Sequence, residues 1–340
     1  MMRRLRSGFT ALCMGVTASS IAAAQTQPDP CFPRDRLSSC LAADNFWPRG
    51  GSGDFLTVAD TRRREGQAFT LGVVPSFISR PIGLTVASPD PEGTTIYAVE
   101  SALTTNFVSS YAVIDGLVMN AALPVVLYQD GAGKDDVVGG DQGLPTSSLG
   151  DFRLGVHYAF LDRAPGRDGL GVAARFDFSV PTADQRAFAG YSSVAFVPGV
   201  ALDYRWDRLQ VGVDISARIR DVVEIAGAAI GTQVGTNFGI GVEALDPWLR
   251  FTGELWALYG VFEQQALIAE PGERTADLDS IDEPHIPLEW MVAAHTDGLW
   301  ERRLRFSFGG GTIIPTSEFT PVTTPLYRLT LAARYVHDGW

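Results

Sequence analysis

The chain reads as all-β: a transmembrane up-and-down antiparallel β-barrel of twelve strands. Three observations carry that reading. Stretches of about ten residues alternate apolar and polar side chains between Phe69 and Val336, short and long turns follow one another in strict order, and aromatic residues gather beside the short turns.

Alternation is plainest from Leu209 onward. Leu209, Val211, Val213, Ile215, Ala217 and Ile219 form one face, while Gln210, Gly212, Asp214, Ser216, Arg218 and Arg220 form the other. Side chains of a strand point alternately to opposite faces, so the first face suits lipid and the second a polar interior. The same pattern places strands near 68–80, 95–113, 116–129, 149–161, 170–180, 194–206, 208–221, 233–245, 248–262, 286–296, 299–312 and 326–336.

The connections sort into two classes. Short ones at Asp115-Gly116, Asp162 to Gly169, Asp207, Asp246-Pro247 and Asp297-Gly298 carry the chemistry of tight turns, and long ones fall at 81–94, 130–148, 181–193, 222–232, 263–285 and 313–325. Short turns belong in the periplasm and long loops outside, and an even strand count puts both termini on the periplasmic side of an outer membrane. Tyr111, Tyr158, Phe160, Tyr204, Trp206, Trp248, Trp300 and Tyr335 then form one interfacial girdle, with Tyr97, Tyr259, Phe262 and Trp290 at the other rim. A soluble sandwich fits less well. Tyr204 and Trp206 share a face with Phe196, Val200 and Leu202, and Asp203 and Arg205 point the opposite way along unusually long strands. The last strand carries an apolar stripe, Tyr327, Leu329, Leu331, Ala333 and Tyr335, and either Tyr335 or Trp340, which follows Val336 to Gly339, serves as the terminal aromatic that barrel-assembly machinery reads.

The chain divides into four regions. Residues 1–24 read as a signal peptide, with Arg3, Arg4 and Arg6 basic, Phe9 to Ile21 weakly apolar, and Ala22-Ala23-Ala24 before Gln25. Thr10-Ala11-Leu12 ahead of Cys13 does not suit lipidation. Residues 25–67 form an N-terminal periplasmic or plug segment, 68–336 the barrel, and 337–340 a short tail. No later run of roughly 18 apolar residues offers a membrane helix. The net charge of −12 becomes about −15 once the three N-terminal arginines are removed, which argues against a nucleic-acid partner. Cys31 and Cys40 remain in an oxidising compartment and are read as one disulfide.

Several short motifs resemble a known family. Gly53 to Asp60 (Gly-Asp-Phe-Leu-Thr-Val-Ala-Asp), Ile114-Asp115-Gly116-Leu117, Leu123 to Gly131, Leu149 to Leu154 and Val180-Pro181-Thr182 follow one another as in the N-terminal outer-membrane β-barrel of OmpA-family proteins of Gram-negative bacteria. The resemblance implies a barrel over nearly the whole mature length. It covers no peptidoglycan-binding domain, because the chain stops at Trp340 after the last strand.

Catalysis finds no support. His157, His285, His295 and His337 have no adjacent serine motif or metal-ligand spacing, and Gly309-Gly310-Gly311 lacks the Lys-Ser/Thr of a phosphate loop. The acidic loop 263–285, with Glu263, Glu270, Glu273, Asp277, Asp279, Asp282 and Glu283, shows no EF-hand spacing. No enzyme activity, cofactor or metal is expected.

The lumen carries the function. Projecting the strands inward lines it with Asp151, Arg153, Arg175, Asp177, Asp203, Arg205, Asp214, Arg218, Glu243, Arg250, Glu254, Arg305, Arg328 and Arg334, and also with Glu100, Arg220, Glu289 and Arg303. These charges either pair and fill the interior or line a narrow pore whose walls select by charge. The expected function is a channel or passive transporter for small solutes, the alternative a non-conducting structural or surface-interaction barrel supporting envelope integrity. Expected partners are outer-membrane lipid and lipopolysaccharide, barrel-assembly machinery and a small-solute cargo. If residues 25–67 plug the barrel, Arg62, Arg63 or Arg64 should reach lumen carboxylates such as Asp151, Asp203 and Glu254.

Overall fold

A computed structural model describes residues 31, 37–51, 53–86, 94–134, 143–161, 168–225, 228–245, 248–262, 264–268, 277–281, 286–300, 303–316 and 322–337. Twelve long strands dominate it: β1 Phe69–Val86, β2 Thr94–Ile114, β3 Leu117–Asp130, β4 Phe152–Leu161, β5 Gly169–Val180, β6 Ala195–Trp206, β7 Leu209–Arg218, β8 Gln233–Leu245, β9 Leu249–Gly260, β10 Leu288–Leu299, β11 Leu304–Ile313 and β12 Tyr327–His337. Each pairs antiparallel with its neighbours in sequence, and β1 pairs with β12, so the sheet closes. Closure leaves no edge, which is what a β-protein needs in a medium that cannot hydrogen-bond its backbone. Short hairpins Val223–Ile225/Ala228–Ile230 and Gln264–Ile268/Asp277–Ile281 belong to the long loops.

Burial follows the alternation. Ile215 and Ile219 stand exposed on the outer wall while Gln210, Asp214, Ser216, Arg218 and Arg220 are buried within. Tyr111, Tyr158, Phe160, Tyr204, Trp206, Trp248 and Trp300 are exposed beside the short turns, and Tyr128, Tyr259, Trp290 and Tyr327 toward the long-loop rim. Of the described helices none is long and apolar enough to cross a membrane.

Three expectations need correction. Asp297 and Gly298 do not make the turn; the strand continues to Leu299, the pair sits where register slips between Thr296 and Leu299, and Arg303 N donates to Trp300 O at 3.1 Å just beyond it. A bulge uses the same turn-forming residues as a hairpin, and the sequence alone does not separate the two. Glu100 is exposed, because it lies opposite a bulge where Arg80 and Pro81 intervene between the Ser79↔Ser101 and Ile82↔Val99 pairs. Arg303, just ahead of β11, is likewise exposed. The triplet Gly309–Gly311 lies within β11 and pairs on both sides. Residues 1–24, the turns at 162–167 and Asp246-Pro247, His285, the side chains of the acidic loop and residues 338–340 lie outside the described residues.

Residues 37–67, the inner segment, run through the barrel. At the short-turn rim Arg64 O accepts from Gly116 N at 2.9 Å and Gly66 N donates to Asp115 at 2.8 Å. At the long-loop rim Ser38 N donates to Glu224 O, Leu37 bridges to Ile225, Ala42 bridges to Ala189, and Asn45 donates to Thr323. Cys31 and Cys40 are joined by a disulfide at that rim.

Candidate functional site

The middle of the lumen is built on carboxylates that hold both wall and inner segment. Asp214 of β7 is fully buried and accepts from Arg175 of β5 at 2.7 and 2.9 Å, from Arg49 at 3.4 Å and from the Ala59 backbone at 3.3 Å. Asp177 takes the remaining hands of Arg175 and Arg49, the latter at 3.1 Å. Two strands further round the wall, Glu254 of β9 accepts the Leu56 and Thr57 backbone N–H groups at 2.8 and 2.7 Å and the Thr57 hydroxyl at 2.7 Å. Arg250 pairs with Asp54, Arg334 donates to Arg49 O at 3.1 Å, and Arg305 lies in register beside Arg334. A buried charge stripped of water needs such partners.

Shape completes the fit. Gly212 and Gly239 face each other across β7 and β8, and the Phe55 ring rests on the pair. A Cβ at Gly239 would lie 2.6 Å from that ring, and one at Gly212 2.9 Å. Leu56 and Val58 are fully covered. Gly53 to Asp60, the first stretch of the family resemblance, is therefore the core of the inner segment rather than a strand.

Nearer the short-turn rim, Arg205 pairs with Glu243 at 2.7 Å, and Asp203 is buried beside Gln210. The arginine cluster meets the expectation in part, since Asp203 attracts the Arg62 guanidinium electrostatically, while Asp151 and Glu254 are taken by other donors. Arg62 and Arg64 pair at 2.9 and 2.6 Å with Asp60 of the inner segment itself, Asp151 is occupied by the Thr182, Ala183 and Tyr191 backbone N–H groups, and Glu254 by those of Leu56 and Thr57. Backbone donors, which a charge count ignores, took two of the three carboxylates.

The outer part of the lumen differs again. Arg328 and Glu289 pair at 3.0 Å, with Asp44 at 2.8 Å from the same guanidinium. Across from them, the Trp47 ring has the Arg153 guanidinium at 4.8 Å and that of Arg218 at 4.2 Å. Cavities of about 60 and 50 Å³ share Trp47 and Arg153 in their walls, one reaching toward Asp60 and His157 and the other toward Phe188 and Tyr191. A smaller one, of about 10 Å³, joins Trp47 to Arg218. Trp47 is thus the partition between open spaces in the filled lumen.

His157 lies 3.3 Å from Asn120, and the ring nitrogens of His295 lie 2.8 Å from the hydroxyls of Thr252 and Ser307. No carboxylate among the described residues orients the His295–Ser307 pair as a nucleophile and base require. Among the described residues no cluster suited to a metal ion occurs. Sequence reasoning did not single out Arg49, Asp54 or Phe55 as site residues; the facing Gly212 and Gly239 were the available signal.

No protein-family model matches the chain, and no curated protein matches it in sequence. Its fold matches solved outer-membrane channels. The COG4313 outer membrane channel from Pseudomonas putida F1 aligns with a TM-score of 0.56 at 14% identity, over 82% of this chain and 98% of that one. The KdgM porin aligns at 0.42 and 7% identity over 78% and 98%, and the Pseudomonas putida toluene transporter TodX at 0.39 and 8% identity over 90% and 98%. The chain is an all-β, twelve-stranded transmembrane barrel of channel-like fold. The resemblance to OmpA-family barrels is not shown by these matches.

Proposed function

We propose that this chain is an outer-membrane channel or passive transporter for small solutes, held closed by its own inner segment. The carrying observation is how that segment is attached. From Arg49 to Ala59 it is held to the barrel by bonds to the side chains of Asp214, Glu254, Arg250 and Arg334. Side-chain bonds can be exchanged for water one at a time, whereas a strand in the ladder cannot leave without opening the barrel. The cavities beside Trp47 outline where a solute path would run.

The rival reading, a non-conducting barrel that supports the envelope, draws on the seat of Phe55 against Gly212 and Gly239. Lipid and lipopolysaccharide around the exposed apolar wall, and assembly machinery reading the last strand, belong to either reading. The C-terminus is read as periplasmic. For the mature N-terminus the contacts of Leu37 and Ser38 with the long-loop hairpin support an exit at the outer rim, in place of the periplasmic end expected from strand parity. No catalytic role is proposed. Planar-bilayer recording of the purified chain tests the channel reading: discrete unitary currents are expected, and a folded, heat-modifiable sample that stays silent across voltages refutes it.

A further inference from the structure

Several arginines elsewhere in this lumen meet carboxylates: Arg175, Arg250 and Arg328 each hold one or two. Among the described residues, Arg153, Arg218 and Arg220 form no ion pair with a carboxylate. Arg153 donates to the Asn106 side chain and lies over Trp47; Arg218 reaches Asn45 O at 3.5 Å and the other guanidinium contact of Trp47; Arg220 donates to Gly231 O at 3.0 Å and Gln233 at 2.5 Å and lies 3.6 Å from the Tyr191 ring centre. All three are more than nine-tenths buried, and Arg153 Nε and Arg220 Nη1 have no hydrogen-bond partner.

Three buried cations sharing two aromatic rings are costly unless an anion joins them. The adjoining cavity of about 50 Å³ has carboxylates of its own, Asp44 and Asp151, but both are engaged: Asp44 by Arg328 and the Thr104 hydroxyl, Asp151 by three backbone N–H groups. The rest of its wall is largely apolar, with Phe46, Trp47, Ile78 and Phe188.

We propose that this cavity is a binding subsite for a small organic carboxylate, whose anionic end is received by Arg153, the arginine in its wall, and whose apolar body lies against Phe46, Trp47 and Phe188, with Arg218 on the other side of the Trp47 contact adding positive field. A guanidinium presents paired donors that match a carboxylate, and aromatic rings complement the remainder of such a solute. The inference rests on the channel reading for its purpose, naming the class of solute that would pause beside Trp47.

Titration calorimetry of the detergent-solubilised full chain tests it, with benzoate as probe and benzamide as its uncharged isostere. Saturable heat is expected with benzoate and none with benzamide. Arg153→Gln should weaken benzoate binding roughly tenfold, as loss of a charged hydrogen bond does, and Arg218→Gln, which removes only a nearby charge, should weaken it about two- to threefold. Arg205→Gln, in the Arg205–Glu243 pair near the other rim, should leave it unchanged, and having two independent variants guards against one that fails to fold. Equal heats from the two probes, or benzoate binding indifferent to both arginine variants, would overturn the subsite. Because calorimetry needs no conduction, a conducting chain that ignores benzoate refutes the subsite alone, and a silent barrel that binds it refutes the channel alone.

Discussion

The middle of the lumen and its outer third use arginine in opposite ways. Around Asp214 each guanidinium meets a carboxylate, and the inner segment is locked in by the same bonds that satisfy the wall. Around Trp47 the guanidiniums of Arg153 and Arg218 meet an aromatic ring and neutral oxygens only. The first arrangement is closed chemistry, complete without a ligand. The second is incomplete, and incompleteness beside a cavity marks where a solute and a moving part would act. The difference teaches that lumen charge by itself says little; what matters is whether each charge is already spoken for.

The largest expected effect comes from the closed region. Asp214→Ala leaves Arg175 and Arg49 to share the single carboxylate of Asp177 in a water-poor interior and should cost about 3 kcal/mol, read as a lower urea midpoint in detergent micelles. Unchanged unfolding would mean that charge does not hold the middle of the lumen.

Next comes Gly239→Val. The strand accepts valine, so the damage is confined to the Phe55 ring, and overpacking of this kind costs about 1–3 kcal/mol. Trypsin should then cut at Arg62 to Arg64 several-fold faster in the folded variant; an uncut segment would show that Phe55 can move aside without releasing it.

The contrast sharpens at Arg218→Met. Removing an unpaired buried cation gives up one cation–π contact but also its desolvation cost, so stability should change by less than about 1 kcal/mol. A loss as large as that of Asp214→Ala would erase the distinction between the two regions.

The smallest effect is at the outer anchor. In the loop joining β5 to β6 the Arg186 backbone N–H, 3.0 Å from Asp184, holds that carboxyl below its ordinary range against partial burial, aided by the Arg186 side chain. A depressed pKa stabilises the folded loop above the unfolded value of about 4 and loses that contribution as pH falls through the lowered one. Gln185 and Phe188 of this loop receive Ser39 and Ala43 of the inner segment. Amide exchange at 38–43, corrected for intrinsic rate, should therefore stay level from pH 8 to about pH 5 and quicken slightly only below about pH 4. Asp184→Asn should remove that step, and a step near neutrality would point to another group.

The barrel was legible because lipid imposes a period of two on every strand, and Leu209 to Arg220 obeys it without exception. Bulges interrupt that period locally, which is why Glu100 turned outward and Asp297-Gly298 read as a turn. The filling of the lumen was far less legible. An inner segment that bonds through backbone N–H groups, as Leu56 and Thr57 do to Glu254, leaves no periodicity to detect. Inward glycines such as Gly212 and Gly239 look like ordinary lumen positions until the ring that needs them is in place. The arginines near 62–64 pointed toward wall carboxylates on charge alone, yet Asp60, two to four residues away, had the shorter reach.

The most direct measurement compares single-channel conductance of the full chain with that of a variant lacking residues 25–60 but keeping the signal peptide, both shown to be folded by heat-modifiable mobility. The variant should assemble, since the last strand is intact, and conduct more than the full chain, with the gap widening at high salt where the remaining lumen pairs are screened. Equal conductance in the two would contradict the account, because it would mean that the segment seated on Gly212, Gly239 and Glu254 closes nothing.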